Sequence, residues 1–225
     1  MGMASHAGGE RQVELPVAAG AIRGDLVLPE MPRGLVVFAH GSGSSRLSPR
    51  NRKVASALQD AGFATLLMDL LTEAEEQEDR FTAAHRFDIE MLAERVVAAL
   101  DWASSDAATA GLPLGLFGAS TGAAAALVAA ARRPGVVRAV VSRGGRPDLA
   151  EPFLENVRAP TLLIVGEKDT LVLELNRQAA TRLAAPSEIA IVPRAGHLFE
   201  EPGALDEVCR LALRWFGRYL TMAGA

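Results

Sequence analysis

Leu114-Gly115-Leu116-Phe117-Gly118-Ala119-Ser120-Thr121-Gly122-Ala123-Ala124-Ala125-Ala126-Leu127-Val128 is the stretch on which the reading of the fold turns. It opens with an apolar run, Leu114 to Phe117, of the length and character of a strand buried on both faces of a sheet. It then passes through Gly118-Ala119-Ser120-Thr121-Gly122, a G-x-S-x-G pentapeptide, into an alanine-rich segment of high helix propensity. Strand, sharp turn and helix in immediate succession lift a serine above a sheet edge. The small neighbours let the chain reverse, and the helix N–H groups beneath favour negative charge.

Working outward, the same kind of short apolar run recurs at Leu35 to Ala39, Phe63 to Asp69, Val137 to Ser142, Thr161 to Val165 and Glu188 to Val192. Between the runs lie segments of helical period: Asn51 to Ala61, Ala83 to Ala103, Thr121 to Arg132, a shorter stretch from Asp148 to Asn156, Leu173 to Leu183, and Asp206 to Leu220. Alternation of strand and helix predicts an α/β fold with a doubly wound, mostly parallel sheet, because each crossover must carry a helix over one face. Ahead of it, Arg11 to Val17 and Ala21 to Leu28 alternate around the turn signal Ala19-Gly20 and predict an antiparallel edge hairpin. Residues 1–10 are expected to be a flexible start and 11–225 a single α/β domain.

The chain has 225 residues, 49% hydrophobic and 22% charged, within ordinary globular usage. A net charge of −4 supplies no basic face for a polyanion, so nucleic acid is not an expected partner. No apolar run approaches the length of a membrane span, and the start lacks a signal-peptide core. The expectation is a cytoplasmic protein without a membrane partner, monomeric or homodimeric. Its one cysteine, Cys209, has no internal disulfide partner and fits a reducing compartment. The acidic stretch Glu73, Glu75, Glu76, Glu78 and Asp79 reads as a solvated loop or helix start, or alternatively as a flap beside the carboxyl ends of the strands.

A serine hydroxyl needs a base to take its proton. Of the four histidines, His6 lies in the start, His85 falls within the expected Ala83 to Ala103 helix, and His40 ends the first parallel strand. His197 follows the last strand, and its loop emerges on the side where Ser120 stands. An imidazole acting as base needs a fixed tautomer, which a carboxylate at its other nitrogen supplies. Asp169, in Gly166-Glu167-Lys168-Asp169 straight after the Thr161 to Val165 run, is the expected acid. Asp69 and Asp148 are rivals for that role, and Glu200 and Glu201 read as loop charges. The resulting chain order is Ser, Asp, His. Attack on an ester creates an oxyanion that preplaced donors must meet. The backbone N–H of Thr121 is one candidate donor, and that of Ser42, in His40-Gly41-Ser42-Gly43, is the other. A dinucleotide-binding turn beginning at Gly41 fails, because Arg46 stands at the third glycine position and Pro49 precedes the helix.

With these pieces assembled, the chain resembles the α/β-hydrolase fold family and, in its small size, the dienelactone-hydrolase-like branch. The motifs that carry the resemblance are His40-Gly41-Ser42-Gly43, Gly118 to Gly122, Gly166 to Asp169 and Gly196-His197, and it spans about Val13 to Leu220. It implies hydrolysis through an acyl-enzyme intermediate without a metal or organic cofactor. Dienelactone hydrolases proper carry cysteine where this chain has Ser120. The function expected is a serine hydrolase acting on small carboxylic esters or lactones. The alternatives are a catalytically silent member of the fold that binds a small ligand or partner, and an acyltransferase using the same triad. Arg46 and Arg50 after the glycine loop, and Arg143 with Arg146 around Gly144-Gly145, gather near the expected rim. Arg143 and Arg46 are the candidate substrate-binding residues, for a substrate carboxylate in the case of Arg143; a loop-fastening role for Arg143 is the competing reading.

Overall fold

The computed structural model of the chain describes residues 9–220. Residues 1–8 of the expected flexible start, His6 among them, lie outside the described residues. Gly9 and Glu10 already belong to the first strand.

Among the described residues eight strands form one sheet: β1 Gly9–Val17, β2 Gly20–Leu28, β3 Leu35–Ala39, β4 Ala64–Met68, β5 Leu114–Ala119, β6 Val137–Arg143, β7 Thr161–Gly166 and β8 Ser187–Val192. Their order across the sheet is β1-β2-β4-β3-β5-β6-β7-β8. The β1–β2 hairpin is antiparallel, β2 joins β4 antiparallel, and all remaining pairings are parallel. This is the α/β-hydrolase arrangement, a parallel sheet extended by an antiparallel hairpin. The central strands β3, β4, β5 and β7 are buried along their whole length. Such strands show no polar alternation, because neither face meets water.

Among the described residues six α-helices cover the sheet: α1 Pro49–Asp60, α2 Glu73–Thr82, α3 Ile89–Ser105, α4 Thr121–Arg132, α5 Thr170–Ala180 and α6 Ala204–Tyr219. On one face, Val36, Phe38, Phe117, Val141 and Ile164 pack against Val54 and Leu58 of α1 and Val208, Trp215 and Phe216 of α6. On the other, Val37, Leu116 and Val140 meet Leu92, Val96 and Leu100 of α3 and Leu127 and Val128 of α4. Each fully buried leucine or valine contributes about 1.5–3 kcal/mol relative to exposure, so these two layers hold the sheet edge that carries the site. Alanine dominates α4, and Thr121 through Ala130 are all buried, which lets this helix sit close on β5.

The start of α3 and the Pro147–Asn156 segment differ from the sequence reading, and the acidic stretch takes the helical one of its alternatives. The helix expected from Ala83 starts only at Ile89, and His85 lies in the connection before it. The buried Asp79 carboxylate accepts the backbone N–H groups of His85 (2.8 Å) and Arg86 (3.0 Å) and the Arg86 Nε–H (2.7 Å), fixing residues 83–88 as a turn. Asp88 then caps α3 by accepting from Met91 N–H. The acidic stretch is a helix of its own, opened by a reciprocal capping box between Thr72 and Glu75. The Pro147–Asn156 segment is 3₁₀ rather than α, with Pro152 inside it lacking the N–H that an α-helix needs. Among the described residues no helix is long and apolar enough to cross a membrane.

Candidate active site

Ser120 stands between β5 and α4 with φ 51° and ψ −120°, a left-handed conformation that a serine adopts only under constraint. The constraint is packing on both sides. A methyl group on Gly118 would come within 2.4 Å of Ala123 Cα, and one on Gly122 within 2.3 Å of the His40 carbonyl oxygen. Only glycine fits at either position, so the pentapeptide is required for strand, turn and helix to close on one another. Ser120 N–H donates to the Arg143 carbonyl (3.2 Å), and the Ser120 carbonyl accepts from Arg146 N–H (3.2 Å), tying the turn to the end of β6.

His197 and Asp169 meet above the neighbouring strands. The loops after β7 and β8 are joined by Lys168 N–H donating to the Ala195 carbonyl (2.9 Å) and by Glu167 accepting Arg194 N–H (2.6 Å). Asp169 occupies the N-cap position of α5 but makes no capping hydrogen bond. Its Oδ2 instead lies 2.6 Å from His197 Nδ1, a short charge-assisted contact that places the Nδ1 proton on the donor side and leaves Nε2 as the free acceptor. The Asp169 side chain is 14% exposed and the His197 ring 39%. The imidazole lies against Gly144, where an added methyl would be 3.5 Å from His197 Cε1, one residue beyond the Arg143 carbonyl that holds Ser120. Ser120 and His197 therefore flank the same short segment. No hydrogen bond joins the Ser120 hydroxyl to the imidazole among the described residues.

The rival carboxylates are otherwise engaged. Asp69 holds the Arg46 backbone N–H (2.9 Å) and guanidinium (2.7 Å), and Asp148 binds Arg146 through two bonds of 2.9 and 2.7 Å. Glu201 accepts Gly196 N–H (2.9 Å), shaping the His197 loop, and Glu200 pairs with Arg50 (3.3 Å).

The loop after β3 approaches Ser120 closely: a methyl on Gly41 would lie 3.2 Å from Ser120 Cβ. Ser42 N–H, expected as an oxyanion donor, donates here to the Thr121 hydroxyl at 2.9 Å. Sequence reading had no signal for this bond, nor for the role of His40. Leu70 N–H donates to His40 Nε2 (3.1 Å), so Nε2 carries no proton, and Nδ1–H donates to the Gly41 carbonyl (2.9 Å). The Gly41 carbonyl and Ser42 N–H belong to one planar peptide and point opposite ways, so the histidine aims the Ser42 N–H toward Thr121. Burial lowers the His40 pKa, outweighing the bond to Gly41 and the charges of Asp69 and Glu76, and keeps the ring neutral.

The two candidate substrate-binding arginines have intramolecular partners. Arg46 is clasped by Asp69 (2.7 Å) and Asp25 (3.3 Å) and braces the glycine loop. Arg143 is buried, with its guanidinium 3.4 Å from Asn51 Oδ1 and over the Phe199 ring at 5.9 Å. It makes no ion pair among the described residues, and burial, reinforced by the Arg50 charge, pushes its pKa down to about 10. It links α1 to the loop that carries His197. The described residues hold no cluster of three or more His, Cys, Asp or Glu side chains placed to bind a metal ion.

Similarity to known proteins agrees with this architecture. Residues 22–217 match the model of the dienelactone hydrolase family. The crystal structure of dienelactone hydrolase from Anabaena variabilis superposes with a TM-score of 0.93 at 55% identity, covering 96% of this chain and all of that one. Est1E from Butyrivibrio proteoclasticus, at 14% identity and TM-score 0.76 over 90% of this chain and 96% of its own, shares the fold. Two Mycobacterium tuberculosis proteins, each named "Putative phosphoribosyl transferase", are 56% identical over 95% of this chain. The chain spans about half the length of these curated relatives, 48%. The family match along most of the sequence, together with the Anabaena structure, shows that the chain belongs to the dienelactone hydrolase family.

Proposed function

We propose that the protein is a serine hydrolase that cleaves small carboxylic esters or lactones through an acyl-enzyme intermediate. The observation that carries this reading is the 2.6 Å contact between His197 Nδ1 and Asp169 Oδ2, made beside the segment that anchors the strained Ser120 turn. Asp169 fixes the tautomer that leaves Nε2 basic. As Ser120 Oγ bonds to the acyl carbon, its proton passes to Nε2. The C–O bond to the alcohol then breaks, and Nε2 returns the proton to the departing oxygen. Water repeats the sequence on the acyl-serine, releasing acid and free Ser120. The gap between Ser120 and His197 closes on substrate binding, since such contacts are commonly loose in unliganded sites.

The oxyanion is met by the N–H groups of Thr121 and Ser42. The second is taken by the Thr121 hydroxyl in the resting site, and the substrate oxygen displaces that hydroxyl. His40, by holding the Gly41–Ser42 peptide, keeps the donor aimed. The transferase name of the M. tuberculosis relatives belongs to proteins about twice as long, whereas the hydrolase reading rests on residues of this chain.

A fluorophosphonate probe followed by peptide mass spectrometry tests the reading: Ser120 is expected to be the labelled residue. Ser120→Ala is expected to abolish labelling and to lower p-nitrophenyl acetate turnover by up to about 10⁶ in kcat. An unlabelled Ser120 in folded protein would instead identify a silent, ligand-binding member of the fold. Acyl transfer to an added alcohol outrunning hydrolysis would identify a transferase.

A further inference from the structure

A cavity of about 300 Å³ lies between the loop after β3, the end of β4 and helix α2. Ser42 and Thr121 are among the residues that line it. On the hydrolase reading proposed above, whatever fills this cavity is attached to the carbonyl whose oxygen those residues receive. The sheet order fixes which part of the ester that is. Ser120 stands on β5; His197 and Asp169 belong to the β7 and β8 side; the cavity lies over β3 and β4, on the opposite flank of the nucleophile. The alcohol oxygen must face the imidazole that protonates it, so the leaving group lies toward His197. The other substituent of the acyl carbon points away, into the cavity.

The walls specify the chemistry of that substituent. Leu70, Leu71 and Leu92 supply an apolar floor. The ionised groups come from α2 and its neighbours, and each has an opposite partner: Glu76 with Arg80 (3.0 Å), Asp79 with Arg86 (2.7 Å) and Asp69 with Arg46 (2.7 Å). Among the described residues, a carboxylate entering here finds no unpaired cation and three carboxylates already present. An uncharged hydroxyl or carbonyl can exchange hydrogen bonds with these pairs without shedding the hydration of an ion. The volume is at the lower end for ligand pockets and, at roughly 30 Å³ per water-sized group, holds on the order of ten such groups.

We propose that the cavity beneath α2 is the acyl pocket, and that it selects short, uncharged acyl groups carrying a hydrogen-bonding substituent. The acidic helix is thereby the wall that sets acyl specificity.

The test uses p-nitrophenyl esters, which keep the leaving group constant: butyrate, 3-hydroxybutyrate, octanoate, decanoate and the hemisuccinate. The full chain is expected to turn over 3-hydroxybutyrate at least as well as butyrate. Hemisuccinate is expected to trail butyrate by about tenfold or more in kcat/KM, and activity is expected to fall beyond roughly eight acyl carbons. Leu92→Ala is expected to raise decanoate relative to butyrate several-fold without changing the ratio of methyl to p-nitrophenyl butyrate. Because Leu92 also packs in the core, Glu76→Lys on the exposed side of α2 provides a second variant. It leaves two cations at the mouth and is expected to raise hemisuccinate relative to butyrate about fivefold or more. Hemisuccinate preferred by the unaltered protein, or a Glu76→Lys ratio that does not move, overturns the assignment while a labelled Ser120 leaves the hydrolase reading standing. Absence of both labelling and ester turnover overturns the two together.

Discussion

The backbone N–H of Ser42 donates to the side-chain hydroxyl of Thr121 at 2.9 Å, across 79 residues of sequence, and so links the loop after β3 to the residue that follows Ser120. On the proposed mechanism this donor, committed in the resting site, is released for catalysis, and the hydroxyl that occupies it holds the place of a substrate oxygen. Thr121→Val keeps the shape and removes the acceptor. It is expected to cost about 0.5–1.5 kcal/mol of stability, the net worth of one hydrogen bond, because the freed N–H of exposed Ser42 can turn to water, while kcat/KM stays within about tenfold. Paired denaturant melts and ester kinetics check this. A loss of about 10²–10³ in kcat would show that the hydroxyl itself donates to the oxyanion.

Asp169 forgoes the cap of its own helix to hold His197, so replacing it with an isosteric amide should alter the imidazole tautomer rather than the fold. Asp169→Asn is expected to lower kcat by roughly 10⁴ with little change in KM. Thermal stability should change little, since no capping bond is lost. Steady-state kinetics beside a melting curve separates the two effects; retention of most activity would remove Asp169 from the mechanism.

His40 links stability to pH. Burial depresses its pKa below the ordinary histidine value of about 6.5, so the unfolded chain takes up a proton before the folded one does. The contribution of the neutral ring is complete above that value and declines as the pH falls below it toward the folded pKa. A protonated ring can no longer accept Leu70 N–H, so the hold on the Gly41–Ser42 peptide weakens with it. The stability advantage of the unaltered protein over His40→Gln is expected to be larger at pH 8 than at pH 5. An advantage that does not change across this range would show that the folded and unfolded chains hold the His40 proton alike, so that burial does not depress its pKa.

Among the described residues Arg143 is buried without a carboxylate partner, and its Nε–H has no acceptor. Its aliphatic stem and guanidinium fill the space between Asn51 and Phe199 beneath the His197 loop. Arg143→Ala is expected to destabilise by about 1–3 kcal/mol by leaving a cavity. Arg143→Met, which fills the space without a buried charge, is expected to be close to neutral or stabilising. Both variants should change activity on neutral and carboxylate-bearing esters by the same factor. A selective loss on the carboxylate-bearing esters would make Arg143 a substrate ligand.

Much of this architecture was legible in the residues alone, and the reasons are local. Leu35 to Ala39 and Thr161 to Val165 read as buried strands because burial on both faces admits only apolar side chains. Helix α4 was readable to the residue, since Ser120 and its glycines mark the turn and Arg132 precedes Arg133-Pro134. Helix α3 was misplaced at its start because Ala83 to Asp88 has ordinary helix-compatible composition, and only the buried Asp79 carboxylate withdraws its N–H groups from a helix.

The sequence by itself determined the succession of strands and helices, the turn at Ser120, and the loops from which Asp169 and His197 project. Burial pattern and chain reversal are written in neighbouring residues. Tertiary structure alone decided that β4 lies outside β3, that α2 walls a cavity on the flank away from His197, that Thr121 holds the Ser42 N–H, and which partners engage Arg46 and Arg143. Lateral strand order and the partner of a long side chain are settled by groups dozens of residues away competing for the same space and the same hydrogen bonds, and no local periodicity records the outcome of that competition.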